Sequence, residues 1–548
     1  NEYAVFIPTW SNYDSKDAIV ALTQQGDEIV TGRMNSSDLH YRQTISWNGH
    51  FDYDHTFADK HHVTGLLLAN MFTTTASGAY HRYANVNLGL QAGYDYMGRY
   101  FADVSMAGVH SARLPKGNRG AISPSFTLGW NIAKEDFMKN VKGVDDLLLS
   151  ASYSNLNEDM DLMVGEKEYY LYDALWSTGG SGFSWNEGTS SDLTYSTIGS
   201  NPVLDYIHRK EFSVSLRGSF LNKMITTNLT FFNTDMSGYL ISNASYFPSH
   251  LTNFAASGAF KPAINNNIYN RKGLDFSVTA QKQFGDVHAS LGVVGTILDT
   301  KFSKVDELYD YDYQKDEGRP LDGIWGFNCL GFYNLDDFDV TTSDDGKTKY
   351  TLKKGVPNST LGGTIQPGDL KYEDTNNDGV INSKDAVCLG KSGAFGSPVT
   401  LGLNLTLKYK NFTLFAVADG QFGAYGMRNT PYYCAFGDYK YSTAVLGRWT
   451  PETADVATHP RLSTQNMYHN ITGSTFWMYS TDRLDLRKVQ ITYDFPQEMF
   501  KGKVVKALSV YMNGNNLLTI SKWRNLMETN IGYAPQTRFY NLGVKVTL

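Results

Sequence analysis

From residue 43 to the last residue, this chain repeats one pattern: apolar and polar side chains alternate with a period of two. Between 84 and 96, Ala84, Val86, Leu88, Leu90, Ala92, Tyr94 and Tyr96 fall on one face, and Asn85, Asn87, Gly89, Gln91, Gly93 and Asp95 fall on the other. Such alternation makes an extended strand with one oily and one polar side. It recurs at 43–54 (Ile45, Trp47, Phe51, Tyr53), 122–132 (Phe126, Leu128, Trp130, Ile132), 210–220 (Phe212, Val214, Leu216, Phe220), 273–283 (Leu274, Phe276, Val278, Ala280) and 399–409 (Leu401, Leu403, Leu405, Leu407, Tyr409). Further strands are predicted at 62–72, 100–110, 146–155, 225–236, 287–297, 412–421, 485–495, 506–518 and 538–548. A soluble sheet can alternate too. Repetition over about fifteen segments of about ten residues each points to an all-β transmembrane antiparallel β-barrel with its oily face in lipid.

The links between strands sort by length. Short ones at 97–99, 221–224, 284–286 and 410–411 carry Gly, Asn, Lys and Asp, the residues of tight hairpins. Long ones lie at 156–209, 237–272, 298–398 and 422–484. Bacterial outer-membrane barrels have short periplasmic turns and long extracellular loops. The chain end, Asn541 to Leu548, alternates apolar residues and resembles the C-terminal signal of such barrels, with Leu548 in place of the usual Phe. A periplasmic C-terminus makes strand 43–54 run inward from outside, so residues 1–42 are expected to belong to an extracellular loop. An odd strand count does not close a bacterial barrel. The expectation is therefore a C-terminal part of a larger barrel, whose front portion is not in the sequence.

Bulk properties agree without deciding. A net charge of −7 gives no pull toward nucleic acid. The 36 tyrosines suit interfacial girdles, though Tyr-rich secreted proteins share that feature. No run of about 18 apolar residues marks a membrane helix, and that absence does not exclude a membrane protein, since barrel strands carry a polar face. Cys329, Cys388 and Cys434 are scattered and odd in number, so they read as packing residues or loop thiols rather than a disulfide framework.

Five segments stand out: Arg448-Trp449-Thr450-Pro451-Glu452 followed by Pro460-Arg461-Leu462, Phe476-Trp477 leading into Leu484 to Val489, Asn513-Gly514-Asn515-Asn516-Leu517-Leu518, Pro115 to Gly120, and the strand through Gly129-Trp130. In order and spacing they are similar to segments of SusC/RagA-type TonB-dependent transporters of Bacteroidetes. The resemblance spans about residue 43 to the end. It implies a barrel of about 22 strands with an internal plug. It also implies import of glycans or peptides, a SusD-like surface lipoprotein as lid, and TonB as the energy source. Plug and TonB box are not in this sequence.

One loop carries a metal pattern. Residues 374–385, Asp374 to Asp385, match D-x-[DN]-x-[DN]-G-x₅-E with Asp for the final Glu. Calcium takes six to eight oxygens. Asp374, Asn376, Asp378, the Val380 carbonyl, Asn382 and Asp385 are the candidate ligands, and Gly379 allows the sharp turn. The ion's expected role is structural. The plain alternative is a polar turn that binds nothing. Asp336, Asp337 and Asp339 read as a solvated acidic run, and His61-His62 as turn residues.

Aromatic residues gather in the long links: Tyr169, Tyr170, Tyr172 and Trp176; Trp325, Phe327, Phe332 and Tyr333; Tyr432, Tyr433 and Phe436; Phe476, Trp477 and Tyr479. Taken singly, each ring is read first as loop packing or a lid contact. As a group they are expected to include ligand contacts, with Trp325, Phe332, Tyr333, Tyr432, Tyr433 and Trp477 as candidates. No nucleophile elbow, P-loop or zinc spacing is present, so no enzyme is expected. The leading reading is TonB-dependent import across the outer membrane of a Gram-negative bacterium. The alternatives are a passive porin-like channel and a secreted calcium-binding adhesin or glycan-binding β-protein.

Overall fold

The structure is a computed structural model. It describes residues 5–10, 19–26, 41–77, 83–163, 170–178, 184–185, 189–190, 194–241, 261–344, 346, 348–435, 437, 441–464, 467–502 and 504–548. The chain divides into two compact units, Asn1–Trp47 with Phe72–Ala84, and Asn48–Met71 with Asn85–Leu548. The first contains a two-stranded antiparallel ribbon, Val5–Trp10 against Ile19–Gln25. Part of the segment expected to be a loop is thus regular structure.

Fifteen strands form one antiparallel sheet: β1 (Arg42–Phe57), β2 (His61–Ala76), β3 (Tyr83–Tyr96), β4 (Tyr100–Ser111), β5 (Gly120–Asn131), β6 (Val144–Glu158), β7 (Ile207–Phe220), β8 (Ile225–Ile241), β9 (Ile264–Phe284), β10 (Val287–Lys304), β11 (Val399–Tyr409), β12 (Phe412–Phe422), β13 (Arg483–Asp494), β14 (Ala507–Ile520) and β15 (Phe539–Thr547). Sheet order equals sequence order, so the sheet is an unbroken meander. All fifteen expected strands are present. Among the described residues no helix is long and apolar enough to cross a membrane.

Alternation becomes a difference of environment. Val86, Leu88 and Leu90 of β3 are exposed, as are Ile122, Phe126 and Leu128 of β5 and Leu291 and Ile297 of β10. Large apolar side chains left uncovered on strand after strand need a non-aqueous surrounding. The opposite face is knitted by polar pairs between neighbouring strands. Thr127 meets Ser152 at 2.9 Å, Ser215 meets Thr230 at 2.8 Å, and Thr234 donates to Glu211 at 2.9 Å. Arg487 bridges Asp419 and buried Asp485, which also accepts from Thr519 at 2.6 Å. The β13–β14 register shifts between Leu486 and Lys488, so the alternation breaks there in sequence while the faces persist in space.

The structure lengthens several expected strands. β9 starts at Ile264 rather than near 273, in Asn-rich sequence that reads as loop. There Asn270 donates to Asn233 at 3.0 Å and to Asp235 at 2.8 Å, so polar cross-strand bonds continue the ladder. His61 and His62 open β2 instead of lying in a turn. His61 bonds the Tyr94 hydroxyl at 2.7 Å and His62 faces Asp54 at 3.1 Å, each to its own partner.

Links at 58–60, 97–99, 132–143, 221–224, 285–286, 410–411 and 495–506 lie at one end of the strands. The described residues of the links at 77–82, 112–119, 159–206, 242–263, 305–398, 423–482 and 521–538 lie at the other. The 97–99 link is a tight hairpin: Arg99 N–H donates to the Tyr96 carbonyl at 2.9 Å, with Met97 and Gly98 at φ +55° and +65°.

The two longest links build a core of their own. Phe327, Leu370, Tyr372, Ile381, Cys434 and Trp477 are buried together. A polar knot locks the two links. Asp369 is fully buried and pairs with Arg461 Nε at 2.6 Å, and Asn470 Nδ2 donates to Asp369 at 2.8 Å. Asn470 Oδ1 accepts from the Leu370 N–H at 2.9 Å, its carbonyl accepts from Trp477 Nε1 at 2.8 Å, and Tyr372 donates to the His469 carbonyl at 2.7 Å. His469 donates from Nε2 to the Leu370 carbonyl at 2.6 Å and faces Ser359 Oγ at 2.8 Å through Nδ1. Burial holds its pKa below the ordinary histidine value, which keeps this bonding pattern neutral. Gly368, at φ +88°, lies under Trp449, where a Cβ would fall 2.4 Å from the indole. Replacing Arg461 with Ala leaves Asp369 a buried, uncompensated charge, which destabilises by about 3–5 kcal/mol. The expected result is faster hydrogen exchange at Leu370 and Tyr372 with strand amides unchanged. Unaltered exchange at both would contradict this role.

Candidate functional site

A cavity of about 500 Å³ lies between the 423–482 and 521–538 links. The 521–538 link owes its shape to one short helix, α1 (Arg524–Thr529). Arg524 pairs with Glu528 at 2.9 Å one turn on, Arg538 reaches the same carboxylate at 3.1 Å, and Asn530 closes the helix in the left-handed region at φ +46°. Trp523, just before α1, turns its ring toward Arg428 of the other link.

Arg428 organises the site. Its backbone N–H donates to the Trp477 carbonyl at 2.9 Å, and Nη2 donates to the Phe476 carbonyl at 2.6 Å. The guanidinium lies 5.3 Å from the Trp523 ring, 5.7 Å from Trp477, and 5.9 Å from both Tyr433 and Phe476. Ring faces attract cations at such distances. No carboxylate among the described residues pairs with Arg428, and its Nε is buried without a hydrogen-bond partner. Burial draws its pKa below the usual arginine value, yet a guanidinium remains charged at any physiological pH.

Lys522 and Arg524 add positive charge to the wall, and the wall contains no Asp or Glu. Tyr432 and Tyr433 contribute rings set edge to face, 4.9 Å apart. A second space of about 300 Å³ shares Arg428 and Tyr433 and adds Tyr479, Arg483 and Thr430, whose buried hydroxyl has no partner.

Of the six candidate ligand-contacting rings, Tyr432 and Tyr433 line this cavity. Two others are core residues. Tyr333 is fully buried with Phe338 and Ile365, and burial pushes its hydroxyl up to about 12. Trp477 is buried in the loop core and backs the Arg428 cage from behind. A ring with no accessible face has none to offer a ligand, so these two are corrected to packing. Phe332 is half-buried against Phe476 at 5.7 Å. Trp325 sits half-buried on the Gly323–Gly326 ribbon, away from the cavity. Tyr170 and Tyr172 pack together at 5.8 Å, Trp176 is exposed, and Tyr169 and Phe436 lie outside the described residues. Cys434 is buried and its thiol is pushed up to about 11, in keeping with a packing role. Arg428, Lys522, Trp523 and Arg524 were not anticipated from the sequence. The basic-aromatic run Lys522-Trp523-Arg524 between two strands is the signal that could have marked them.

The 374–385 loop folds as a tight ring of Asx turns. Asp374 accepts from the N–H of Asp378 at 3.2 Å and of Gly379 at 2.8 Å, with Gly379 at φ +83°. Asn376 Oδ1 accepts from the Asp378 N–H at 3.0 Å, and Asp378 accepts from the Val380 N–H at 2.9 Å. Asn382 donates to the Val380 carbonyl at 3.2 Å. Asp385 is almost fully buried, and its two oxygens accept from the backbone of Thr375 at 2.9 Å and Asn382 at 2.8 Å. Among the described residues no Lys or Arg pairs with these three carboxylates, and no cluster of three His, Cys, Asp or Glu side chains is preformed for a metal. Asp337 caps its own short turn and pairs with Lys371 at 2.8 Å, while Asp336 and Asp339 are solvated.

No protein-family model matches the chain. By sequence it is 24% identical to a TonB-dependent receptor of Formosa agariphila, over 83% of this chain and 45% of that protein. It is likewise 24% identical to the TonB-dependent receptor SusC of Bacteroides thetaiotaomicron, over 79% of this chain and 40% of that one. Among solved structures, the RagAB peptide transporter superposes with a TM-score of 0.69 at 16% identity, over 92% of this chain and 56% of its counterpart. The chain spans about half the length of the curated relatives it matches. In sequence and fold the chain is thus similar to SusC/RagA-type TonB-dependent transporters, which are β-barrel proteins of the bacterial outer membrane.

Proposed function

We propose that this chain is barrel sequence of an importer that carries nutrient oligosaccharides or peptides inward, driven by TonB and lidded by a SusD-like lipoprotein. The observation that carries this reading is the one-sided grouping of long links over a sheet with a lipid-facing surface. The 423–482 link, tied to the 305–398 link by the Asp369–Arg461 knot, forms with the 521–538 link a cavity where a solute can be captured. Among the described residues β15 has a neighbour only on its β14 side, and an open edge is not tolerated in hydrocarbon. Further strands, to the even number that closed barrels use, complete the wall in this reading. No covalent chemistry is required. Uptake of labelled oligosaccharides and peptides in cells with and without the gene tests the proposal. It requires loss of one substrate class in the deletion and equal loss when TonB is absent. Uptake that survives without TonB would favour a passive channel instead.

We also propose that residues 374–385 hold a structural calcium ion. Asp374, Asn376, Asp378, the Val380 carbonyl, Asn382 and Asp385 supply only oxygen, the donor that calcium takes. Three carboxylates within one turn-rich loop form no ion pair with Lys or Arg among the described residues, since Lys384 turns to Asp310, and one of the three is buried. The ion would offset that charge and stiffen the link. Affinity in the range typical of extracellular modules, about 10⁻⁴–10⁻³ M, is expected. Adding chelator is expected to open the 305–398 link to protease, with recovery on adding calcium and no effect in Asp385→Asn. Identical digestion with and without chelator would reject the site.

A further inference from the structure

We infer that the Arg428 cavity binds an acidic oligosaccharide, with a uronate carboxylate or a sulfate ester seated on Arg428, Lys522 and Arg524. The inference rests on the import reading and narrows its substrate to one chemical class.

Charge is the first argument. The chain is net negative, at −7, yet three cations and no carboxylate line this one cavity. Arg524 is partly neutralised by Glu528, but Glu528 already shares itself with Arg538. Arg428 has no anionic partner at all among the described residues. Stripping a guanidinium of water without a counter-ion is expensive, and four ring faces offset only part of that. A ligand anion is the missing partner. Its two oxygens suit the planar fork of an arginine, which binds carboxylates and phosphate-like oxyanions in pairs.

Shape is the second. Tyr432, Tyr433 and Trp523 present flat apolar faces beside the charges. Such faces suit the C–H side of a sugar ring. A volume of about 500 Å³ falls within the range of about 300–1,000 Å³ of ligand sites. A peptide is commonly held by its backbone along an exposed strand edge. No wall residue of this cavity belongs to a strand; the wall is turn and short helix.

The test is direct binding to the purified full-length transporter in detergent, by calorimetry. Probes are a galacturonate trimer, its methyl ester, a sulfated galactose oligomer, a neutral galactose trimer and an acidic peptide of similar length. The uronate trimer, the sulfated oligomer or both are expected to bind at least tenfold more tightly than the ester and the neutral trimer, and to weaken as salt rises. Whichever acidic probe binds names the anion. Arg428→Met is expected to lose at least tenfold, and Arg428→Lys to lose less. Because Arg428 packs among rings, Lys522→Gln provides a second arm: that side chain is exposed, and a severalfold loss is expected without a fold change. Equal affinity for acid, ester and neutral probes would overturn the inference. So would unchanged binding in both variants, or binding of the acidic peptide alone. Binding in detergent needs no TonB, so failure here leaves the import reading standing, whereas TonB-independent uptake removes that reading without touching the cavity.

Discussion

Hydrocarbon offers no hydrogen bonds, so a chain that crosses it must satisfy every backbone N–H and C=O internally. A meander of fifteen antiparallel strands does this by pairing each interior strand on both sides. Period-two patterning then follows, since each strand shows one face to lipid and one to polar neighbours. The polar pairs of the inner face, such as Thr127 with Ser152 and the Arg487 bridge between two aspartates, are affordable because they are mutually satisfied. Everything functional is displaced to the strand ends, where the chain is free of that constraint.

At the end with long links, the chain solves a different problem. Links as long as 305–398 and 423–482 would be floppy unless they pack. They bury Phe327, Leu370, Tyr372 and Trp477 together and pin the cluster with Asp369, Arg461 and Asn470. That core holds Arg428 in place, because Trp477 and Phe476 supply both its cage and its backbone acceptors. The cavity is thus a by-product of loop packing, with the ring-caged Arg428 held in its wall.

Legibility tracks how local the physics is. All fifteen strands could be read because alternation is written in consecutive residues. Strand ends were misplaced where polar ladders continue past the lipid boundary, as at Asn270, because Asn-rich sequence there also describes a loop. Signature segments such as Pro460-Arg461-Leu462 were visible as resemblance, but their job was not: Asp369, the partner of Arg461, is remote in sequence. Tyr333 and Trp477 looked like ligand platforms because composition does not show burial. Arg428 was invisible for the same reason, since its four rings come from three separate stretches of chain.

The central claim is that alternate residues of these strands face lipid. Single nitroxide labels at Leu88 and Asn87 of β3, and at Leu128 and Thr127 of β5, test it in the full-length protein reconstituted in vesicles with its native cysteines replaced. Leu88 and Leu128 should be accessible to dissolved oxygen and shielded from a polar nickel complex, with the reverse at Asn87 and Thr127. Equal accessibility at neighbouring positions, or polar accessibility at Leu88 and Leu128, would contradict the account.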